Sequence, residues 1–364
     1  MGHPVIRSTA ISLVLPVLLV TCADDPPPPN PNFDFSGVDK FWEVVEILEA
    51  DLYPFEEVWD TLFANPGYAA LVESEFTREF FIEKMQIAFM PSKAPMKKQQ
   101  TKVNADPYLR HYNRVKQMQS LLATHRQWLL EAPMMREVTR AVRQYLPEHL
   151  FVNYPLPPIA FVIFANDSRG YSPVVMDLLY ALDQEEHLVL RMGHEAHHYY
   201  RNKLLVYDPA KVRRRDRDVV WVLNQIHAEG LADRVDRRVL YFQKGYLENM
   251  PEAQLFKARV AQVPEVLESL DRLLSQMAGS RGDYSQLGRR MRELLPMSGH
   301  ATGYYLTSVI VKRFGNEELN KRVGNPFAFF HLYHLASIMP ESNTHIFSPK
   351  SVAFVQALQA RYSR

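Results

Sequence analysis

From Val38 to Met90 apolar residues recur three and four positions apart: Phe41, Val44, Val45, Leu48 and Leu52, then Val58, Leu62 and Phe63, then Phe76, Phe80, Phe81, Met85 and Phe89. This is the period of amphipathic helices, and it predicts three or four of them with their aromatic stripes in the core. Pro91 to Pro95 breaks the pattern, and the polar stretch Met96 to Asn104 reads as a loop. Helical spacing resumes by Tyr108 and runs through Val115, Met118, Leu122 and Trp128, and a further helix after Pro133 carries Met134, Val138 and Val142. His111 and His125 have no acidic or histidine neighbour at ligand spacing, so no role is assigned to them.

Pro155, Pro157 and Pro158 end this helical half. Ile159 to Ala165 and Val174 to Leu179 are short apolar runs on either side of the turn cluster Asn166 to Gly170, the pattern of a β-hairpin. Helical patterns return over Asp183 to Lys203, around Val222 to Asp233, over Leu255 to Met277 and after Ser298, with a Gly-rich loop at Ala278 to Asp283. Lys312, Arg313 and Gly315 are a C-terminal helix signal, and Phe327, Phe329, Phe330, Tyr333, Val352, Phe354 and Leu358 complete the core. The expected class is α+β and predominantly α-helical, with a small hairpin or sheet beside the helix that begins near Asp183.

That helix carries the chemistry. Asp183 with Glu186 three residues on reads as an N-cap and its capping-box partner, Arg201 and Lys203 complement the last turn, and Asp208-Pro209 stops the run. Within it, His194-Glu195-Ala196-His197-His198 is an HExxH motif. Helix positions four apart have Cβ atoms about 5–6 Å from each other, so His194 and His198 can direct ring nitrogens at one metal ion. Glu195 is offset by about 100°, which suits a carboxylate that reaches a metal-activated water as general base without ligating. Gly193 costs about 1 kcal/mol against alanine in a helix, which is explained if another backbone passes close to the metal. A solvated helix face or a set of satisfied core histidines is the competing reading.

Zinc bound by HExxH needs a third protein ligand and an open position. Val222, Ile226, Glu229 and Asp233 form one stripe of a later helix, and carboxylates on a core-facing stripe are costly unless paired or bound to metal. An exposed face paired to Arg234 and Arg237 is the alternative. HExxH followed by Glu229-Gly230-Leu231-Ala232-Asp233 resembles the gluzincin class of zinc metallopeptidases over residues 183–237. The layout of the chain also looks like the uncharacterised bacterial families of zinc-dependent peptidases. The resemblance implies a zincin-like fold, one Zn2+ per chain held by His194, His198 and Glu229, and Asp233 supporting a ligating histidine from behind. It also implies that the hairpin's edge strand pairs with substrate backbone, a buried structural hairpin being the alternative. A donor to the oxyanion is then sought at His300, Tyr304 and Tyr305, which cluster at the start of a late helix. His331 and His334 lack a partner carboxylate and are weaker competitors for metal.

With 364 residues, 47 % hydrophobic and 12 % aromatic, the chain can bury a large core, and a net charge of +1 makes no case for nucleic acid as partner. The basic run Lys211 to Arg217 reads as a solvated loop. Arg7 precedes the short apolar run Ile11 to Val20, and Leu19-Val20-Thr21-Cys22 resembles a lipobox; ordinary cleavage after Ala23 competes with it. The expected division is a signal at 1–22, a Pro-rich linker at 23–36, and a peptidase domain at 37–364, helical over 37–150 and catalytic over 151–364. Cys22 is the only cysteine, so the body holds together without disulfides. The expected protein is an exported zinc peptidase acting on a peptide or protein, in the periplasm or cell envelope with the membrane reached through an N-terminal lipid, or secreted as a soluble protein. Its rivals are a non-catalytic metal-binding or substrate-binding lipoprotein and a zinc hydrolase of another amide or ester.

Overall fold

The N-terminal helical spacing folds as Ser36–Glu49, Glu56–Phe63, Pro66–Ser74 and Arg78–Phe89 in a computed structural model that describes residues 32–103, 106–155, 157–280 and 282–363. The apolar run Ile11 to Val20, Cys22 and most of the Pro-rich linker lie outside the described residues. Among the described residues no helix is long and apolar enough to cross a membrane. The stretch from Met96, expected as a loop, lies in a helix, Ala94–Val103. Its lysines and glutamines are polar but are good helix formers, and Pro95 sits in the first turn, where a missing N–H costs nothing. The run through Trp128 is two helices, Pro107–Gln117 and Gln119–Glu131, followed by Met134–Arg143 and His149–Asn153.

The sheet corrects the hairpin. Strands β1 (Phe33–Asp34), β2 (Ile159–Val162), β3 (Ser168–Arg169) and β4 (Val174–Asp177) lie in the order β1-β2-β4-β3. The two apolar runs are parallel neighbours, with Ile159 opposite Val174 and Val162 opposite Asp177, and the antiparallel partner of β4 is β3, taken from the turn cluster. Every residue of β2 and β4 is buried, as in a parallel pair covered on both faces. On the other side of β2, β1 draws residues of the expected linker into the fold, with Phe33 and Phe35 buried against Phe161. The free edge left beyond β4 is β3, and it faces the helix of the HExxH motif.

The C-terminal half is helical: Leu178–Asp183, Leu188–Lys203 (the motif helix), Arg217–Ala232 (the return helix), Arg237–Phe242, Pro251–Ala261, Val263–Gly279, Ser285–Glu293, His300–Asn320, Pro326–Ser337 and Pro349–Tyr362. The single helix expected over Leu255 to Met277 breaks at Gln262, and Pro264 occupies the first turn of the second piece. Gly315, with φ of 80°, interrupts His300–Asn320, so the expected stop is a kink followed by one more turn. The return helix and His300–Asn320 cross at glycines: a Cβ on Gly230 would stand 2.4 Å from the carbonyl oxygen of Gly303. No side chain fits there, and the backbones close to a distance that brings His300 over the return helix. The whole is α+β and predominantly helical, as expected.

Candidate metal centre

The motif helix begins at Leu188, and Asp183 is not its cap. Asp177 already caps the helix Leu178–Asp183 through Leu179 N and Tyr180 N, so Asp183 falls at that helix's end and forms a bidentate pair with Arg114 at 2.5 Å. Gly193 gives way to a side chain and not to a backbone, since its Cβ would meet Val235 Cγ1 at 2.8 Å. Arg201 and Lys203 do close the last turn.

The return helix runs back along the motif helix, which is seen in its contacts: Arg201 meets Asn224, and His194 and His198 meet Glu229. Nε2 of His194 and Nε2 of His198 are 3.1 Å apart and lie 3.5 and 3.4 Å from Oε2 of Glu229. Three ligand atoms of a tetrahedral ion with bonds of about 2.0–2.1 Å must stand about 3.3 Å from one another, which is this triangle. Oε2 of Glu229 is buried and, among the described residues, faces only the imidazoles of His194, His198 and His300 without a well-formed hydrogen bond, while Oε1 accepts from Gln225 Nε2 at 2.8 Å. A buried carboxylate oxygen without a donor is costly, and a cation satisfies it. The residues therefore fit zinc. Burial alone would raise the Glu229 pKa, but His300, His198 and His194 around it hold it well below the usual carboxylate range. His197, the remaining histidine of the motif, faces away, with Nε2 3.3 Å from the carbonyl oxygen of Tyr145.

Behind the triangle stands a carboxylate the ExxxD spacing does not single out. Oδ1 of Asp236 lies 3.0 Å from Nδ1 of His194, whereas Asp233 lies at 3.8 Å and reaches instead to Nδ1 of His300 at 3.0 Å. The carboxylate at hydrogen-bond distance from His194 is thus Asp236 and not Asp233, because the chain leaves the helix at Ala232 and the turn swings Asp236 inward. A donated Nδ1–H fixes the tautomer that leaves Nε2 free for a metal. Burial opposes charge on both partners, yet Asp236 holds the His194 pKa well above the usual imidazole range, and His194 and Arg191 hold Asp236 well below the carboxylate range. Arg191 donates to Asp236 Oδ2 at 2.7 Å. A carboxylate seven positions after Glu229 was the available signal for Asp236.

Glu195 accepts a hydrogen bond from Ser168 Oγ at 2.8 Å. Ser168 belongs to β3, and Gly170 just beyond it could carry no Cβ, which would stand 2.3 Å from His198 Cβ. The edge strand is thus pressed onto the motif helix at Glu195 and His198. No pattern in the sequence announces Ser168, since its role depends wholly on this contact.

His300 lines the cleft, at the end of a turn in which Met297, Ser298 and Gly299 have φ of 50°, 55° and 99°. Besides Asp233, its Nδ1 lies 3.2 Å from Glu229 Oε2, so His194, Asp233 and His300 form a second group of metal-capable atoms beside the first. Tyr304 and Tyr305 do not line the cleft: Tyr304 is buried in a stack with Phe242. The helix begins at His300 itself, so Tyr304 stands one turn further along it and Tyr305 is turned to another face. The phenols that do line it are Tyr171 and Tyr180. Burial, with the carboxylates of Glu195 and Asp236 and against the pull of Arg191, raises the Tyr180 pKa, so this phenol keeps its proton. His331 and His334 join no metal-capable group among the described residues. The cleft, about 600 Å³, also takes in Arg201, Asn202, Trp221, Asn224 and Gln225.

A family described as "Putative zinc dependent peptidase (DUF5700)" matches residues 59–340, which include the whole cleft. No curated protein and no solved structure matches the chain.

Proposed function

The chain belongs to this family of putative zinc dependent peptidases, and from that premise we propose that it hydrolyses peptide bonds with zinc at His194, His198 and Glu229 and with Glu195 as general base. The observation that carries the reading is the 3.1–3.5 Å triangle of His194 Nε2, His198 Nε2 and the buried Glu229 Oε2, with Glu195 on the same helix and in the same cleft. Zinc bound there would polarise the scissile carbonyl and acidify a water molecule.

The remaining work falls to side chains. Ser168 donates to Oε1 of Glu195 and fixes the carboxylate, leaving Oε2 to take a proton from water and return it to the departing amine. Asp236 holds His194 in the tautomer a metal needs. Tyr180 is the donor for charge developing on the carbonyl oxygen, in place of Tyr304 and Tyr305, while Nε2 of His300 faces Arg237 Nη2 at 3.4 Å and accepts from it, which makes His300 a positioning residue. The free edge of β3 faces the cleft, so an extended substrate backbone can add to it as a further strand.

Two variants test the assignment because they separate binding from chemistry. Glu229→Ala should lose most of its zinc, and activity should follow the metal. Glu195→Gln should keep near-stoichiometric zinc while peptide hydrolysis falls by about 10²-fold or more. Zinc per chain by atomic emission and turnover of a peptide library are the measurements. An active Glu195→Gln protein would remove the general base, and a Glu229→Ala protein with full zinc would send the search for a third ligand to His300 or Asp233.

A further inference from the structure

Four arginines line the cleft, and three of them have a carboxylate: Arg169 pairs with Glu75 and Asp167, Arg191 with Asp236, and Arg237 with Asp233. Arg201 is 2 % exposed and has none among the described residues. Its guanidinium donates to the side-chain oxygen of Asn202 at 3.0 Å, to that of Asn224, and through Nε and Nη2 to Nδ1 of His227 at 3.3 and 3.1 Å. Nε2 of His227 lies 3.0 Å from the carbonyl oxygen of Arg322, so that nitrogen carries the proton and the imidazole is neutral. Burial and then Arg201 hold the His227 pKa well below its usual range, in keeping with this tautomer.

Two amides and a neutral imidazole orient the guanidinium without neutralising it. Nη1 has two hydrogens and a single acceptor, Asn202, so a donor is left over. A charge kept out of water with no carboxylate paired to it directly is costly, and burial lowers the Arg201 pKa to about 10 against the weaker opposing pull of Tyr207 and Glu229. The one N–H left over can make a charge-assisted hydrogen bond to an oxygen of a carboxylate, whose charge also compensates the guanidinium. The place is also informative. Arg201 follows His198 by about one turn of the motif helix, and Asn224 precedes Glu229 on the return helix, with Gln225 bridging to Glu229 Oε1 at 2.8 Å. The pocket is therefore a continuation of the metal cleft beyond His198.

We propose that Arg201, set by Asn202, Asn224 and His227, is the anchor for a carboxylate of the substrate, so that the protein selects peptides presenting a free carboxylate close to the bond that is cut. This rests on the peptidase reading. The carboxylate is either an acidic side chain or the chain terminus, and both offer the charged oxygen acceptor that the remaining N–H lacks.

The test uses the zinc-loaded full chain and matched peptides, each made with Glu or with Gln at positions flanking the cleaved bond, and each with a C-terminal acid or amide. The acid member of one set should be preferred by about 10- to 10²-fold in kcat/KM, chiefly through KM, as expected of a charge-assisted hydrogen bond. Whichever set shows the preference identifies the source as side chain or terminus. Arg201→Gln should abolish the preference. Asn224→Asp should abolish it too, by placing a carboxylate against the guanidinium from within the protein, and it leaves Arg201 in place should Arg201→Gln fail to fold. Equal kcat/KM for acid and amide in every pair, or a preference that survives Asn224→Asp, overturns the proposal. If no peptide is cleaved, the peptidase reading fails, and calorimetric binding of the same peptides decides the anchor separately. Tighter binding of the acid member that vanishes in Asn224→Asp keeps it, and equal binding of both members overturns it.

Discussion

Asp236 is buried and accepts from His194 and the Arg237 backbone N–H on one oxygen and from Arg191 on the other. Such a carboxylate sets the ring orientation and raises the basicity of the nitrogen opposite. Asp236→Asn should therefore weaken zinc binding by about 10-fold or more, measured by competition with a chelating dye. Asp233→Asn should act less on zinc affinity and more on turnover, because its 3.0 Å partner is His300. The reverse order would make Asp233 the support of the metal ligands. At this scale Ser168 and Glu195 are the companion case, since a 2.8 Å hydrogen bond from an edge strand aims the proposed base.

Helices bring these side chains together only as closely as their backbones can approach. At the crossing of the return helix with His300–Asn320, a Cβ on Gly303 would stand 2.2 Å from the carbonyl oxygen of Ile226 and 2.5 Å from the amide nitrogen of Gly230. Backbone cannot give way as a flexible side chain can. Gly303→Ala should therefore lower the free energy of unfolding by about 2 kcal/mol, the usual cost of forced overpacking, in denaturant titrations of the zinc-free protein. It should also weaken the contact of His300 with Asp233, so turnover of the zinc-loaded variant should fall with stability. A stable and fully active Gly303→Ala protein would mean that the two helices need not meet this closely.

Over the whole molecule, the entry to the return helix is held by the chain's far end. Asp216 is fully buried and accepts hydrogen bonds from Tyr284, from Tyr362 and, at 2.7 Å, from Arg361. Burial pushes its pKa up, but Tyr284, Tyr362 and Arg361 outweigh burial and hold it below the usual carboxylate value. As pH falls from neutral, the unfolded chain takes up this proton first, near the ordinary aspartate pKa. The stability contributed by the clasp is thus complete above about pH 4 and is lost as pH falls through the lower folded value. Asp216→Asn should cost about 2 kcal/mol at pH 7, as for a hydrogen bond to a charged group. The difference from the native protein should shrink toward pH 3, which urea unfolding at the two pH values reads directly. A constant difference would assign the loss to packing and not to charge.

The helices of both halves were legible from periodicity, because burying one face of a helix is a condition on residues three and four apart. The relation of His194 to His198 is equally local, and Glu229 stood out as a carboxylate on an apolar stripe, which burial makes costly wherever the stripe packs. The rest depended on which segments meet. The apolar runs at 159 and 174 looked like a hairpin, but alternation does not encode strand direction, and Phe33 and Phe35 arrive from a Pro-rich stretch to cover β2. Asp236 acquires its partner from the turn after Ala232, Ser168 from an edge strand pressed on a helix, and Arg201 its setting from two amides and an imidazole, with no carboxylate paired to it among the described residues. Residue type and spacing determine what a side chain can do, whereas its partners, and so its protonation and role, come from long-range contacts that only the folded chain makes.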